Sequence, residues 1–164
     1  MRFWKKTARV TAGATAGAAV GAAVISMATP FIATWEGKRN YAYLDIVGVP
    51  TICYGSTNGV KMGDWKTDAE CLELLKKEVG EYYERLSKCM PSDAPISVQA
   101  SMLELAYNVG VSATCNSTAM RMVKDGNYIA ACEQLDRWVY AGGKKINGLV
   151  NRRNASKEMC TKDL

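Results

Sequence analysis

Histidine is absent from all 164 residues. Catalysis by a Ser-His or Cys-His pair is therefore poorly supported. None of the six cysteines (Cys53, Cys71, Cys89, Cys115, Cys132 and Cys160) forms a CxxC pair. Without histidine or that spacing, the common zinc sites lack their usual ligand pattern. Neither a metal nor a cofactor is expected. Formal charge is also missing from Val10 to Trp35, a run of 26 residues. No other long stretch is so biased in composition.

The net charge of +5 invites a nucleic-acid reading, but its location argues against one. Of the 21 basic residues, Arg2, Lys5, Lys6 and Arg9 precede the uncharged stretch, which leaves 17 against 16 acidic residues. A nearly neutral body has little hold on a phosphate backbone, so no nucleic-acid partner is expected. The surplus reads instead as a topology signal.

The uncharged run exceeds the roughly 20 residues that span a bilayer core. Basic residues in front of it place the N-terminus in the cytoplasm and the body outside. The span is unusual. From Val10 to Ala28, 14 of 19 residues are Gly, Ala, Ser or Thr. Its hold on lipid should be weak. Gly13, Gly17 and Gly21 recur every four residues and give a helix face without side chains, suited to close packing. Ser26-Met27-Ala28 also resembles a small-x-small cleavage site, so a cleaved signal peptide is the alternative. The expected division is an N-terminal segment over 1–33 and a body over 34–164.

An even number of cysteines behind an export signal fits disulfides in an oxidising compartment. Six cysteines leave the connectivity open. Their order along the chain favours Cys53–Cys71, Cys89–Cys115 and Cys132–Cys160, with reduced core cysteines as the alternative.

Pro30 is expected to end or kink the first helix, and Gly37 to stop a short helical stretch through Glu36. Tyr, Ile, Val and Thr between Tyr41 and Tyr54 flank a turn at Gly48 and Pro50, which predicts a hairpin. Asn58-Gly59 marks a further turn and a short third strand. Thr67-Asp68-Ala69-Glu70 is a capping box. Leu72, Leu75, Val79, Tyr82 and Leu86 follow at helical spacing. Ser97 is a candidate cap for a helix that stops at Gly110. Ser117 to Lys124 predicts a short helix, and Asn127 caps another with Ile129, Cys132, Leu135 and Trp138 on one face. A last helix runs from about Gly148 to Cys160. The predicted class is α+β, a small antiparallel sheet lobe followed by a mainly helical lobe.

The chemistry-bearing stretch runs from Trp35 to Gly55. It places Glu36 at a helix end, Asp45 on the following hairpin, and Thr51 on the returning strand. Two carboxyl groups on different elements can face each other across a cleft. Glycoside hydrolysis asks for that arrangement, with one acid for the leaving oxygen and one carboxylate opposite.

Glu36-Gly37, Tyr43, Asp45, Gly48, Thr51 and Gly55 stand at spacings that resemble the active-site signature of the phage-type lysozymes, glycoside hydrolase family 24. The resemblance continues through Tyr107-Asn108-Val109-Gly110, Ser117-Thr118, Trp138, Gly142-Gly143-Lys144, Gly148-Leu149 and Arg152-Arg153. It covers roughly residues 34 to 160. It implies a lysozyme-like fold and a muramidase acting on peptidoglycan. Glu36 would be the general acid, Asp45 the second carboxylate, and Thr51 the residue that positions an attacking water in an inverting reaction. Arg152 or Arg153 would orient Glu36, and Tyr41 and Asn108 would support substrate binding. Relatives often carry histidine where Ser56 stands here, and glycine where Cys53 stands.

The small-residue segment resembles those of signal-anchor-release endolysins. That implies residues 10–33 held in the host inner membrane, with the body facing the periplasm, then release as a soluble monomer. Glu36 lies six residues past Pro30, about 9 Å along a helix. Tethering is therefore expected to displace Glu36 or block glycan entry. No cysteine lies in the segment, so release there cannot use disulfide exchange. A lytic transglycosylase would need no Asp45 and Thr51 pair. A membrane-active pore-former would leave the body unexplained.

Overall fold

A computed structural model describes the chain from residue 12 onward, and its side chains from residue 17 onward. The basic cluster at Arg2, Lys5, Lys6 and Arg9 lies outside the described residues.

Helix α1 spans Ala12–Trp35 and continues through Pro30. The expected break does not occur because Pro30 lies on the exposed face. The carbonyl it leaves without a donor, four residues earlier at exposed Ser26, is open to solvent. Val24, Ala28 and Ile32 recur at helical spacing and are completely buried. Each large aliphatic side chain buried this way contributes about 1.5–3 kcal/mol. The stretch Gly17–Trp35 is long and apolar enough to cross a membrane. In this structure its narrow apolar stripe instead closes the core of the helical lobe.

Strands β1 (Arg39–Leu44) and β2 (Pro50–Cys53) pair antiparallel with Tyr43 opposite Thr51. The expected third strand is reduced to a bridge between Tyr41 and Trp65. Two backbone bonds flank it, Ala42 N–H to Asp64 O and Lys66 N–H to Asn40 O, each 2.9 Å. The turns between Thr57 and Asp64 use up the chain that a longer strand would need. Helix α2 (Asp68–Leu86) begins with the predicted capping box. Thr67 N–H donates to Glu70 Oε2 at 2.7 Å, and Glu70 N–H donates back to Thr67 Oγ1 at 3.2 Å. Leu75, Val79 and Leu86 face the core, whereas Leu72 turns outward.

Helix α3 (Ile96–Val109) runs through the centre of the lobe, and every residue from Ser97 to Ala106 is buried. A helix apolar on nearly all sides needs neighbours on all sides. α1 and α2 pack against it, and so does the last helix, α7 (Asn147–Cys160). Ser97 does not cap α3. The helix starts one residue earlier, after Pro95. The Ser97 hydroxyl donates to Cys160 O at 3.0 Å, and its N–H donates to Asp163 Oδ2 at 3.3 Å. Those bonds tie α3 to the end of the chain. Short helices α4 (Val111–Cys115), α5 (Thr118–Lys124) and α6 (Tyr128–Glu133) complete the lobe with a 3-10 turn at Gln134–Arg137. The short helix expected from Ser117 begins at Thr118, and Ser117 caps it, accepting from Met120 N–H. Asn127 precedes α6 without a side-chain cap bond, and Ile129 is exposed rather than on the buried face. A small hairpin, β3 (Tyr140–Ala141) with β4 (Lys144–Lys145), turns at Gly142-Gly143.

Disulfides join Cys53 to Cys71, Cys89 to Cys115 and Cys132 to Cys160. Each closes a loop of a length for which cross-linking contributes about 3 kcal/mol. Cys53–Cys71 fastens the hairpin to α2 and forms a small second core with Ile52. Cys53 has φ of 59°, the left-handed region that glycine enters freely. The cross-link therefore fixes a backbone conformation that costs about 1–3 kcal/mol.

Among the glycines of α1, Gly21 sits where a methyl group would lie 2.9 Å from Tyr83 Cε1. The ring has little freedom to yield, since its hydroxyl donates to Gln99 Oε1 at 3.0 Å. Gly17 has nothing within 4 Å. Gly21→Ala is expected to lower stability by about 1–3 kcal/mol, because overpacking outweighs the better helix propensity. Gly17→Ala should raise stability by up to about 1 kcal/mol. Urea unfolding of the full-length chain checks both, and equal stability of the two variants would contradict close packing at Gly21.

Candidate active site

Glu36 follows α1 directly, and its N–H continues the helix by donating to Ile32 O at 3.2 Å. The side chain is 27% exposed and accepts from Arg152 Nη1 at 3.0 Å. Thus α7 supplies the cation that fixes the carboxylate at the end of α1. Arg152 is the partner, not Arg153.

Behind Arg152 lies a carboxylate that the sequence reading did not single out. Glu104, from α3, is completely buried. Its Oε1 accepts from Arg152 Nε at 2.5 Å and from Arg153 Nη2 at 3.1 Å. Its Oε2 accepts from the Ser156 hydroxyl at 2.7 Å. Arg153 Nη2 also donates to Asn108 Oδ1 at 3.0 Å. The signal for Glu104 was present as one charge inside the apolar run Met102-Leu103-Glu104-Leu105-Ala106. A fully buried charge is rare without a partner.

Burial pushes the Arg153 guanidinium below its ordinary pKa, Glu104 counters that shift, and Arg152 reinforces it. Arginine nevertheless stays charged in proteins. Tyr107, one helical turn beyond Glu104 on α3, has its phenol pushed well up by burial, then by the charges of Glu78 and Glu36. It stays protonated and donates to Glu78 Oε2 at 3.4 Å.

The hairpin carries the second group of residues. Asp45 Oδ1 accepts from Val47 N–H at 2.9 Å and from Val49 N–H at 2.8 Å. Two backbone bonds fix the carboxylate, while Oδ2 takes no hydrogen bond from the described residues. Gly48, with φ of 82°, allows the turn that brings those two N–H groups back. Thr51 is buried across the hairpin, and its hydroxyl donates to Val49 O at 2.9 Å. The oxygen is thereby left able to accept a hydrogen bond.

The remaining predicted residues divide between the two groups. Arg152, Arg153 and Asn108 join the Glu36 network. Tyr41 joins neither network and is exposed, with its ring 6.3 Å from that of Trp65. Trp35 is half-buried, and its indole N–H has no partner among the described residues. Ser56, where relatives often have histidine, is buried with its hydroxyl likewise unpartnered among the described residues. The described residues contain no cluster of acidic or cysteine side chains suited to a metal ion.

Residues 33–156 match the Phage lysozyme family. The chain is 38% identical over 126 residues to the SAR-endolysin of Enterobacteria phage P21, covering 76% of each chain. It is 36% identical over 140 residues to the SAR-endolysin of Pseudomonas phage phiKMV, covering 83% of this chain and 87% of that one. Among solved structures, it is similar to the endolysin from Escherichia coli O157:H7 phage FAHEc1. That similarity has 27% identity and a TM-score of 0.73, and it covers 84% of this chain and 92% of the other. A P22 lysozyme mutant has 30% identity and a TM-score of 0.73, with 80% and 93% covered. The matched span begins just before Glu36 and takes in the hairpin and both arginines, and the chain therefore belongs to the phage lysozyme family, whose members are glycoside hydrolases.

Proposed function

We propose that the protein is an endolysin that hydrolyses the β-1,4 bond between N-acetylmuramic acid and N-acetylglucosamine in peptidoglycan. The observation that carries this reading is the contrast between the two carboxylates. Glu36 is held by one guanidinium at a helix end, and Asp45 is held by backbone N–H groups with one oxygen left over. Glu36 acts as the general acid and protonates the glycosidic oxygen. Asp45 accepts the proton of a water that Thr51 positions, and that water attacks the anomeric carbon from the opposite face. The bond to the leaving oxygen breaks as the water oxygen bonds to carbon, so the configuration inverts.

Control comes from α1, which makes the expected segment over 1–33 distinct in role from the catalytic part over 34–164. Before release it lies in the host inner membrane, with the remainder of the chain facing the periplasm. After release it packs as described above, and the enzyme works in the periplasm as a monomer. Two features support this cycle. The helix has the length and composition of a span, and its buried stripe is made of small or β-branched side chains that fit a protein groove.

In turbidity assays on outer-membrane-permeabilised Gram-negative cells, Glu36→Gln is expected to slow clearing by about 10²–10⁴-fold. Equal clearing by the variant and the parent would rule out Glu36 as the acid.

A second test concerns release. Ala18, Ala19, Ala22 and Ser26 are exposed on α1. Replacing each with leucine leaves the docking stripe intact and adds roughly 2 kcal/mol of lipid affinity per site. Cells making this variant should lyse late or not at all, while the purified soluble protein keeps its activity. Lysis on the normal schedule would refute control by membrane residence.

A further inference from the structure

Glu104 touches no reacting group in the mechanism above. Its position on α3 is buried on all sides, and a leucine would suit such a helix. The chain instead buries a carboxylate with two guanidiniums and a hydroxyl around it. A buried ionic group of this kind gives little net stability compared with a well-packed apolar one. Its presence asks for another role.

Charge supplies one. Arg152 and Arg153 bring two positive charges to the back of the site, and Glu104 cancels one of them. Arg152 is the link, since its Nε binds Glu104 and its Nη1 binds Glu36. The four-residue cluster is neutral when Glu36 is ionised and singly positive when Glu36 holds its proton. Without Glu104 it would be singly positive and doubly positive in those two states. The acid would then give up its proton to water at a lower pH, before substrate arrives.

We infer that Glu104 is a positioning residue that sets the pH range in which Glu36 keeps its proton, by cancelling a guanidinium charge and fixing the direction of Arg152. This inference rests on Glu36 being the general acid. Among the described residues, the helices bring Arg152 of α7 and Tyr107 of α3 to Glu36, with Glu78 of α2 behind the Tyr107 hydroxyl, and the hairpin carries Asp45, the second carboxylate of the mechanism above. Lys38 is turned away to Asp68. Only Arg152 is both charged and bonded to Glu36 and Glu104.

The sign follows directly. A general acid must be protonated, so activity falls on the alkaline side as Glu36 ionises. Removing a nearby negative charge favours the ionised form and moves that limb to lower pH. The two carboxylates share one guanidinium, so the limb should move by about one pH unit, read directly from the pH profile.

The experiment compares initial clearing rates across pH for the full-length chain and four variants, with kcat and KM separated on a soluble glycan. Glu104→Gln should move the alkaline limb down and lower kcat at neutral pH more than it raises KM. Arg153→Met, which removes a positive charge, should move the limb up. The double variant Glu104→Gln/Arg153→Met should bring it back to the native position. A merely structural Glu104 would lower the melting temperature and all rates, yet leave the limb in place in every variant. That result would overturn the inference. If Glu104→Gln does not fold, Arg153→Met and the double variant decide alone, and an unmoved limb in Arg153→Met overturns it. Glu36→Gln is the fourth variant. Full activity there would sink the acid assignment itself, whereas an inactive Glu36→Gln with unmoved limbs elsewhere would sink only the role of Glu104.

Discussion

Arg152 reaches in two directions at once. Its Nε meets Glu104 in the middle of α3, and its Nη1 meets Glu36 at the end of α1. One planar guanidinium thus ties three helices that are far apart in sequence. A lysine offers a single point of charge and cannot hold two carboxylates in fixed directions. The buried position of Glu104 depends on that fork, because a lone carboxylate there would face its full desolvation cost. The placement of Glu36 depends on it too, since nothing else among the described residues holds that side chain.

The rest of the lobe packs around this contact. α3 is surrounded by α1, α2 and α7, so its buried polar side chains must find partners on those neighbours. Gln99 meets the Tyr83 hydroxyl and the Ala94 carbonyl. Ser101 meets the Ser156 carbonyl. Glu104 meets the arginines. These bonds fix the rotation of the packed helices as apolar contact alone would not, because polar groups have few satisfactory positions. The hairpin is organised separately, around its own small core and the Cys53–Cys71 cross-link.

Much of this was legible in the sequence where local rules decide the outcome. The Thr67 capping box and the hairpin around Gly48 rest on turn and cap chemistry within a few residues. Glu36, Asp45 and Thr51 stood out because, with Gly37, Tyr43, Gly48 and Gly55, they stand at spacings that resemble the phage lysozyme signature. Pro30 misled because the rule against proline assumes that the lost hydrogen bond matters, and on a solvated face water replaces it. Ser97 misled because its hydroxyl found a carbonyl more than sixty residues away. Glu104 was hidden for the same reason, as its meaning depends on two arginines of another helix. Cys53 is an intermediate case. Its difference from the glycine of relatives was visible, but only the structure shows that it adopts the left-handed backbone that glycine favours.

The close approach of Gly21 to Tyr83 has a geometric corollary. Gly21 lies in α1 and Glu36 directly follows it, 15 residues and about 22 Å along the helix. Sliding the helix by one residue would shift the carboxylate by about 1.5 Å and swing it by about 100° around the axis. Arg152 would then keep Glu104 and lose Glu36. The tyrosine ring, held by Gln99, leaves room only for a residue without a side chain, so this contact fixes the register of α1 and with it the position of Glu36.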